Sequence, residues 1–541
     1  MKNRDVLLAK AVSVSILLLV AGLTAQSQSS ESKSGQWRIA GQNLNNTWSQ
    51  PNEHSINPAN VKGLTPKWVF TTGGDVSATP TVDGDAVYFP DWAGNLFAVK
   101  KDSGKLIWSH KISDYDGVDG AISRVSPAAD GNQLIIGDIL NGRKVHNGAN
   151  VISVDRESGT LQWMTRVDDH PAAIITGSPV IFHGVVYIGV SSSEETLALD
   201  PTYPCCSFRG SIVALDEKTG AMLWKTFDMP DNGGRPGGYS GGAIWQPPAI
   251  DPKRGTLFVG TGNNYTAPAD VEACQNATPT ANCAAADDFF DTALALDLKT
   301  GQVKWAKRLQ GLDTWTVACL TPTGPKANCP VPTSPDFDLG GSGPNLLGNI
   351  VGFGQKSGIF WALNPDDGNI IWSTPVGAGG SLGGIEWGTA TDGQRIYVAI
   401  GDNFHLPYTL ISGQKITWGS WSALDVATGK ILWQIPDPTA GTIDTGSVSV
   451  ANGVMYAGSY SGQMYALDTR SGKILWNFAS GGSVIDGPSI VDGTLYWGSG
   501  YRNIPPGIGN NKVYAFSLAN EKDHGEHSGD SDHSDNHGGQ N

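Results

Sequence analysis

Short stretches in which apolar and polar residues alternate run along most of this chain, and glycine, asparagine or aspartate separates them. The clearest is an eleven-residue phrase in which an alternating stretch enters a turn that ends in glycine, such as Lys-Thr-Gly or Arg-Ser-Gly, and returns to a tryptophan. The alternation predicts two short strands, and the glycine four residues before the tryptophan predicts a tight turn with a positive φ. Each phrase is therefore a predicted β-hairpin. Its seven copies are 98–108, 153–163, 214–224, 295–305, 362–372, 423–433 and 466–476.

Two further alternating stretches precede most of these hairpins, as at 78–89 and 448–456. Four antiparallel strands in each repeat of about 40 residues predict the blades of a β-propeller. The alternative, an ordinary β-sandwich, does not explain a tryptophan at the end of every fourth strand. We therefore expect an all-β fold that forms one large domain over residues 36–518.

The ends of the repeat region predict how the ring closes. Residues 64–70 resemble a fourth strand without its first three, whereas 487–496 and 512–517 resemble three strands without a fourth. Joining them gives an eighth blade built from both ends of the chain, which removes the open sheet edges. The prediction is an eight-bladed propeller whose blades end at tryptophans 68, 108, 163, 224, 305, 372, 433 and 476.

Residues 1–25 predict a signal peptide, because a basic start precedes a short apolar run and a small-residue cleavage site. A membrane anchor is the alternative, but the apolar run is short for one. Export to the periplasm or beyond the cell follows from the signal peptide. The acidic, histidine-rich residues 519–541 predict a disordered tail. The formal net charge of −15 argues against nucleic acids and anionic membranes as partners.

The six cysteines fall into three local pairs. In an exported chain, Cys274 with Cys283 and Cys319 with Cys329 are predicted to form structural disulfides in long insertions. The neighbours Cys205 and Cys206 would form a strained ring, and two free thiols are the alternative. The sequence contains no Cys-x-x-Cys-His, so the chain itself carries no covalently attached haem.

Oxygen-bearing residues stand at or near strand ends in successive blades. Glu194 and Asn263 each follow a second strand, and Asp336 and Asp338 precede an innermost strand. Converging near the propeller axis, they would form a site for a hard cation. Taken singly, each is better explained as a turn residue, and only their combination favours a metal site.

A second regularity concerns the position three residues before the proline of an innermost strand. Arg124, Thr176 and Trp245 occupy it in three blades, and Lys356 adds a second cation. A cation, a hydroxyl and a flat ring around the axis suit a planar anionic ligand. For Trp245 alone, core packing is the alternative.

These residues occur with three longer motifs. They are Trp-Arg-Ile-Ala-Gly-Gln-Asn-Leu-Asn-Asn-Thr at 37–47, Cys-Cys-Ser-Phe-Arg-Gly at 205–210 and Pro-Asp-Phe-Asp-Leu-Gly-Gly-Ser-Gly-Pro-Asn at 335–345. With the eight Trp-ended blades, they resemble the quinoprotein alcohol dehydrogenases that use pyrroloquinoline quinone (PQQ), and in particular the polyvinyl alcohol dehydrogenase branch.

The resemblance implies PQQ with calcium, or a lanthanide because Asp338 would add a carboxylate. It implies metal ligation by Glu194, Asn263, Asp336 and Asp338, with Asp336 as the catalytic base and Asp313 in reserve. The implied cofactor-binding residues are Arg124, Thr176, Ser192, Ser193, Trp245, Lys356, Trp387, Cys205 and Cys206.

The function implied is oxidation of secondary alcohols, polyvinyl alcohol included, to ketones, with electron transfer to a separate periplasmic cytochrome c. Two alternatives stay open: a non-enzymatic scaffold or assembly propeller, and a PQQ dehydrogenase for primary alcohols or sugars. The chain also departs from the family pattern. Its adjacent cysteines lie in the third blade rather than after the first, and Ser77 stands in place of a first-blade glutamate.

Overall fold

The computed structural model describes residues 35–140, 148–278, 282–309, 313–322, 324, 329 and 336–519. Each repeated phrase forms a hairpin in which the first residue pairs with the tryptophan, as Ala214 does with Trp224. The register shifts directly after this pair in all seven copies. The seven turn glycines have φ angles between 65° and 73°, which confirms the predicted turn.

Eight four-stranded antiparallel sheets arrange as an eight-bladed propeller, as predicted. From inner to outer strand, blade 1 contains Thr81–Asp83, Ala86–Pro90, Asn95–Lys100 and Leu106–Lys111. Blade 2 contains Ala128–Asp130, Gln133–Gly137, Ala149–Asp155 and Leu161–Asp168. Blade 3 contains Val180–Phe182, Val185–Ser192, Ser211–Asp216 and Met222–Phe227. Blade 4 contains Ala249–Asp251, Thr256–Gly260, Thr292–Asp297 and Val303–Arg308.

The second half of the ring repeats this order. Blade 5 contains Asn345–Leu347, Ile350–Gly354, Ile359–Leu363 and Ile370–Pro375. Blade 6 contains Ala390–Thr391, Arg395–Ile400, Ser420–Asp425 and Ile431–Pro436. Blade 7 contains Val448–Ala451, Val454–Gly458, Gln463–Asp468 and Ile474–Ala479. Blade 8 combines Ser489–Val491, Thr494–Ser499 and Lys512–Leu518 with the early strand Leu64–Thr71, so the predicted closure by both ends is confirmed.

The outer tryptophan of each blade bonds to the next blade. Its Nε1 donates a hydrogen bond of 2.8–3.2 Å to a backbone carbonyl there, as Trp224 does to Leu298. At seven of the eight blade boundaries, the turn glycine of the next blade lies against the same ring. A Cβ on Gly301 would be 2.5 Å from a ring carbon of Trp224. The repeat keeps glycine and tryptophan together because one packs on the other across these boundaries.

The segment 37–50 covers the end of the ring where the innermost strands finish. It exchanges backbone hydrogen bonds with Val82, Ala129, Ile250, Leu346, Thr391 and Val450, which lie in six different blades. Ala40 and Trp48 of this segment line a small axial void of about 50 Å³. The larger cavity of the ring therefore opens at the opposite end.

The remaining elements are short. The α-helices are Ser113–Asp116, Glu194–Leu197 and Ala269–Ala277, and the 3-10 helices are Val61–Gly63 and Val317–Leu320. Three small two-stranded sheets pair Ala121–Ile122 with Ile139–Leu140, Ser240–Gly241 with Asn264–Thr266, and Tyr408–Thr409 with Lys415–Ile416. The short strand Ala173–Ile174 pairs with the end of the blade 3 strand Val185–Ser192. Across the described ranges, no helix is long and apolar enough to cross a membrane.

All three predicted cysteine pairs are disulfide-bonded, so the alternative of free thiols at Cys205 and Cys206 does not hold. The predicted signal peptide and all but residue 519 of the predicted tail lie outside the described residues.

Candidate functional site

The main cavity of the ring has a volume of about 710 Å³. Its walls come from two kinds of position in the blades. Residues just before an innermost strand supply Arg124, Thr176 and Trp245, and residues just after a second strand supply Asn263 and Lys356. The repeated blade geometry thus brings these two kinds of position from several blades to the same cavity.

Most of the predicted site residues line this cavity. They are Arg124, Thr176, Ser192, Ser193, Trp245, Asn263, Asp338, Lys356 and Trp387. Four predicted residues are not among its lining residues: Glu194, Cys205, Cys206 and Asp336.

A buried lysine of the cavity wall lies beside two aspartates, of which Asp338 lines the cavity and Asp336 does not. The Nζ of Lys356 lies 3.1 Å from Oδ2 of Asp338 and 3.5 Å from Oδ2 of Asp336. Burial works against the charge of Lys356, but the two carboxylates outweigh it and hold the pKa of this lysine well above its usual range. The ammonium group also lies 5.2 Å from the centre of the Trp245 ring. The two aspartates thus keep Lys356 cationic within the cavity wall.

Asp336 and the reserve candidate Asp313 differ in their surroundings. Burial raises the pKa of Asp336 to about 6, against the lowering effect of Lys356. Burial and the neighbouring Asp336 raise the pKa of Asp313 well above its usual range. Asp313 Oδ2 accepts a hydrogen bond of 2.9 Å from the backbone N–H of Phe337. Because Lys356 offsets much of the effect of burial at Asp336, Asp336 is the carboxyl group of this pair that loses its proton more readily.

Glu194 is turned away from the cavity. Its carboxylate accepts hydrogen bonds from the Tyr203 hydroxyl at 2.9 Å and from the backbone N–H groups of Ser207 and Phe208 at 3.0 and 2.8 Å. Glu195 lines the cavity instead. Burial raises the pKa of Glu195 to about 7, which Lys356 partly offsets.

The reason for this difference is local. A helix begins at Glu194, and successive helical side chains point about 100° apart, so only one of two neighbours faces the axis. The sequence analysis assigned the cavity position to Glu194, whereas in the structure its neighbour Glu195 lines the cavity. Metal binding by either residue stays a prediction.

Cys205 and Cys206 lie in the loop that Glu194 holds. Cys206 is fully buried and packs in the same apolar cluster as Phe208 and Tyr265. Tyr265 lines the cavity, whereas the disulfide does not, so the protein interposes other side chains between them. Contact between this disulfide and a ligand stays a prediction that the geometry does not favour.

The cavity residues missing from the prediction include, besides Glu195, the side chains of Trp92, Tyr265, Trp315, Glu386 and Tyr501. Trp92 and Tyr501 follow second strands, so the rule that found Asn263 would have found them as well. Glu386 directly precedes Trp387 and is 2% exposed. Burial raises its pKa well above the usual range, against the effect of Lys356.

The cavity wall contains polar atoms that fit a polar planar ligand. Thr176 Oγ1, Trp315 Nε1, Glu386 Oε2 and Trp387 Nε1 are buried without a hydrogen-bond partner. Such groups are costly unless a ligand or water satisfies them. With the flat face of Trp245 and two cations, they suit an aromatic molecule that carries carbonyl and carboxylate groups.

A metal ion would need ligands beyond the acidic residues. In the part of the chain that the structure describes, no three of histidine, cysteine, aspartate and glutamate converge as a metal site. Asn263 contributes an amide whose Nδ2 donates to the carbonyls of Asn264 and Trp315, both at 2.8 Å. Its Oδ1 is thereby left for a ligand. Glu195, Asn263 and Asp338 all line the same cavity and are oxygen donors of the kind that calcium prefers.

Comparison with known proteins shows the family of the chain. Residues 37–322 match the family described as "Glucose/ethanol/alcohol dehydrogenase, beta-propeller domain" of the PQQ group, and residues 419–522 match that described as "Outer membrane protein assembly factor BamB". The polyvinylalcohol dehydrogenase of Sphingopyxis sp. (strain 113P3) is 32% identical over 83% of this chain and 70% of its own. The polyvinylalcohol dehydrogenase of a Pseudomonas species is 30% identical over 86% of this chain and 73% of its own.

Solved structures agree on the fold. The quinohemoprotein alcohol dehydrogenase from Comamonas testosteroni superposes with a TM-score of 0.65 at 20% identity, over 90% of this chain and 80% of that one. A europium-containing methanol dehydrogenase superposes with a TM-score of 0.65 at 18% identity, over 90% of this chain and 98% of that one. The family match covers more than half of the chain, and two relatives reach 30% identity over most of it. The chain therefore belongs to the PQQ-dependent quinoprotein alcohol dehydrogenases.

Proposed function

We propose that this protein oxidises secondary alcohols, polyvinyl alcohol among them, to ketones with PQQ and a metal ion bound in the central cavity. The observation that carries the proposal is the meeting of Arg124, Trp245, Lys356 and Asp338 in one cavity, with the buried Asp336 paired to Lys356. The two relatives with the highest identity quoted above are polyvinylalcohol dehydrogenases by name, which supports a polymeric secondary alcohol as substrate.

The cofactor would be held by side chains of complementary shape and charge. Trp245 would stack on the flat ring system, and the Arg124 and Lys356 cations would bind its carboxylates. Thr176, Ser192 and Ser193 would supply hydroxyl groups, and Trp387 its unpartnered Nε1. When bound, PQQ supplies the two-electron acceptor that side chains lack.

The metal would lie near Glu195, Asn263 and the aspartate pair. These side chains offer hard oxygen atoms, which suits calcium or a lanthanide. We propose Glu195 in the ligand role that the sequence assigned to Glu194, because Glu195 lines the cavity and Glu194 is bonded to another loop. A cation there would interact with the carboxylates of Asp336 and Asp338, which also form ion pairs with Lys356.

Asp336 would accept the proton of the substrate hydroxyl group. A base with a pKa of about 6 is ionised at neutral pH and is well matched to this task. Lys356 keeps the carboxylate in place from the cavity side. Asp338 faces the cavity directly and is the alternative base.

The electrons would leave to a separate cytochrome c. The sequence contains no motif for covalent haem, so the acceptor would be another protein. The sequence at 1–25 supports export and hence a periplasmic site for this transfer.

Reconstitution with PQQ and calcium tests the proposal. We expect the loaded protein to reduce an artificial dye with polyvinyl alcohol and short secondary alcohols, and more slowly with methanol or glucose. Asp336→Asn and Asp338→Asn, compared side by side, separate the base from its neighbour. Loss of turnover with retained PQQ binding identifies the base. An absence of both PQQ binding and dye reduction would contradict the proposal.

A scaffold or assembly role is the second candidate, because blades 6 to 8 match the assembly-factor family. A scaffold does not need a lysine and two aspartates buried around an axial cavity, where their desolvation costs stability. Those charges favour the enzyme.

A further inference from the structure

Arg124 is surrounded by aromatic rings at one end of the cavity. Its guanidinium carbon lies 5.8 Å from the ring centre of Trp92, 5.7 Å from that of Trp387 and 5.8 Å from that of Tyr501. Tyr501 packs edge-on against both tryptophans, and its ring centre lies 5.7 Å from that of Trp92 and 5.5 Å from that of Trp387. The three rings form a cage, which we call the Arg124 cage.

The charge of Arg124 is stabilised differently from that of Lys356. Lys356 forms ion pairs with two aspartates, whereas no ion pair joins Arg124 to a carboxylate among the residues that the structure describes. A carboxylate partner would occupy the guanidinium N–H groups, because these are its hydrogen-bond donors. Aromatic faces attract the charge without using those donors, although Arg124 also forms a hydrogen bond with the side chain of Tyr501.

Asp75 holds two of the three rings of the cage, those of Trp92 and Tyr501, in place. The backbone N–H of Trp92 donates to the carbonyl of Asp75 at 2.9 Å, and Trp92 Nε1 donates to Ser77 Oγ at 2.8 Å. The Asp75 carboxylate accepts the backbone N–H of Arg502 at 2.8 Å and pairs with its guanidinium group. Arg502 directly follows Tyr501. Asp75 thereby fixes Trp92 in blade 1 and Tyr501 in blade 8 relative to each other.

We propose that Trp92 and Tyr501 are positioning residues that hold the Arg124 guanidinium ready for a carboxylate of the bound cofactor. Arg124 lines the cavity together with Glu386, but among the described residues no ion pair with a carboxylate joins its guanidinium group. For this partly buried arginine, the aromatic cage takes the place of a carboxylate counter-ion. This inference rests on the proposed function, because the anion in question is PQQ.

A double-mutant cycle tests whether Trp92 acts through Arg124. The dissociation constant of PQQ is measured by quenching of tryptophan fluorescence in four proteins: unaltered, Trp92→Leu, Arg124→Met and the double variant. We expect Trp92→Leu to weaken binding by about tenfold alone, and to have no further effect once Arg124 is replaced. A structural role of Trp92 would weaken binding equally in both backgrounds.

Two matched variants and a second ligand separate the cage from general damage. Trp92→Phe keeps a ring and should bind PQQ almost as the unaltered protein does. Trp108→Leu, at the rim of the same blade, should lower the melting temperature and leave PQQ affinity unchanged. The trimethyl ester of PQQ, which lacks free carboxylates, should bind Trp92→Leu and unaltered protein equally.

The outcomes distinguish this inference from the proposed function. Failure of the unaltered protein to bind PQQ overturns both. Normal binding of PQQ by the unaltered protein, with no loss in Trp92→Leu or with an additive loss in the double variant, overturns the cage alone. An equal loss for PQQ and its ester also overturns it.

Discussion

At the scale of single residues, Glu194 and Glu195 have different surroundings although they are neighbours. Glu194 accepts hydrogen bonds from three groups of the loop that carries Cys205 and Cys206, and Glu195 lines the cavity. The strand-end rule found this position to within one residue. It could not choose between the two glutamates, because the choice depends on the phase of a four-residue helix that the alternation of polar residues does not reveal.

The two glutamates should therefore respond differently to the same substitution. Glu195→Gln is expected to weaken calcium-dependent PQQ binding by about tenfold with an unchanged melting temperature, because it removes a cavity charge. Glu194→Gln is expected to lower the free energy of unfolding by about 1–3 kcal/mol, because buried N–H donors lose a charged acceptor. Calcium titration of PQQ binding and urea unfolding measure the two effects. The reverse outcome would return the metal-ligand role to Glu194.

At the scale of elements, the repeated hairpin was predictable because one phrase encodes both its own turn and its contact with the next blade. The glycine needs a positive φ and also room for a tryptophan ring. The insertions were not predictable in the same way. The pairing of Ser240–Gly241 with Asn264–Thr266 joins segments that follow no repeat, and Val317–Leu320 depends on contacts that only the folded chain supplies.

The two demands on the turn glycine can be separated by experiment. Gly301→Ala places a Cβ 2.5 Å from the Trp224 ring, whereas Gly255→Ala, also at a positive φ, meets nothing within 4 Å. We expect Gly255→Ala to lower the free energy of unfolding by about 1 kcal/mol through backbone strain alone. Gly301→Ala should cost about 2–4 kcal/mol, since steric overlap adds to that strain. Equal losses in urea unfolding would show that the ring contact contributes nothing.

At the scale of the whole molecule, ring closure and the axial segment decide where chemistry can occur. The strand Leu64–Thr71 pairs with Lys512–Leu518, and segment 37–50 bonds to six blades at one end of the axis. Closure was predictable from the incomplete repeats at the two ends. The path of segment 37–50 was not, because its bonds are made by backbone groups that carry no sequence signal.

The closed ring also buries many acidic groups, which predicts how stability depends on pH. Burial raises the pKa of Asp288 to about 7, against a hydrogen bond from Asn264, and raises those of Asp228, Asp444 and Asp486 well above the usual range. Between about pH 4 and pH 7 the folded protein therefore binds more protons than the unfolded chain, whose carboxyl groups titrate near pH 4. Stability must fall as pH rises through this window. Hydrogen bonds from Thr219 lower the pKa of Asp216, which lies in an exposed turn. Such aspartates change the stability of the protein only below about pH 4.

We therefore expect the protein, freed of metal and PQQ, to melt at a higher temperature at pH 5 than at pH 8. Asp288→Asn should flatten this slope between pH 5 and pH 7, because the group that must lose its proton in the folded state is gone. Asn264 Nδ2, which donates to Asp288 Oδ2 at 3.0 Å, can still donate to the amide oxygen of the replacement. Asp216→Asn, in an exposed turn, is the matched control and should leave the slope unchanged. Calorimetric melting curves between pH 5 and pH 8 measure how the melting temperature depends on pH. A melting temperature that rises toward pH 8 would contradict this prediction, because it would show that the buried carboxyl groups are ionised and paired.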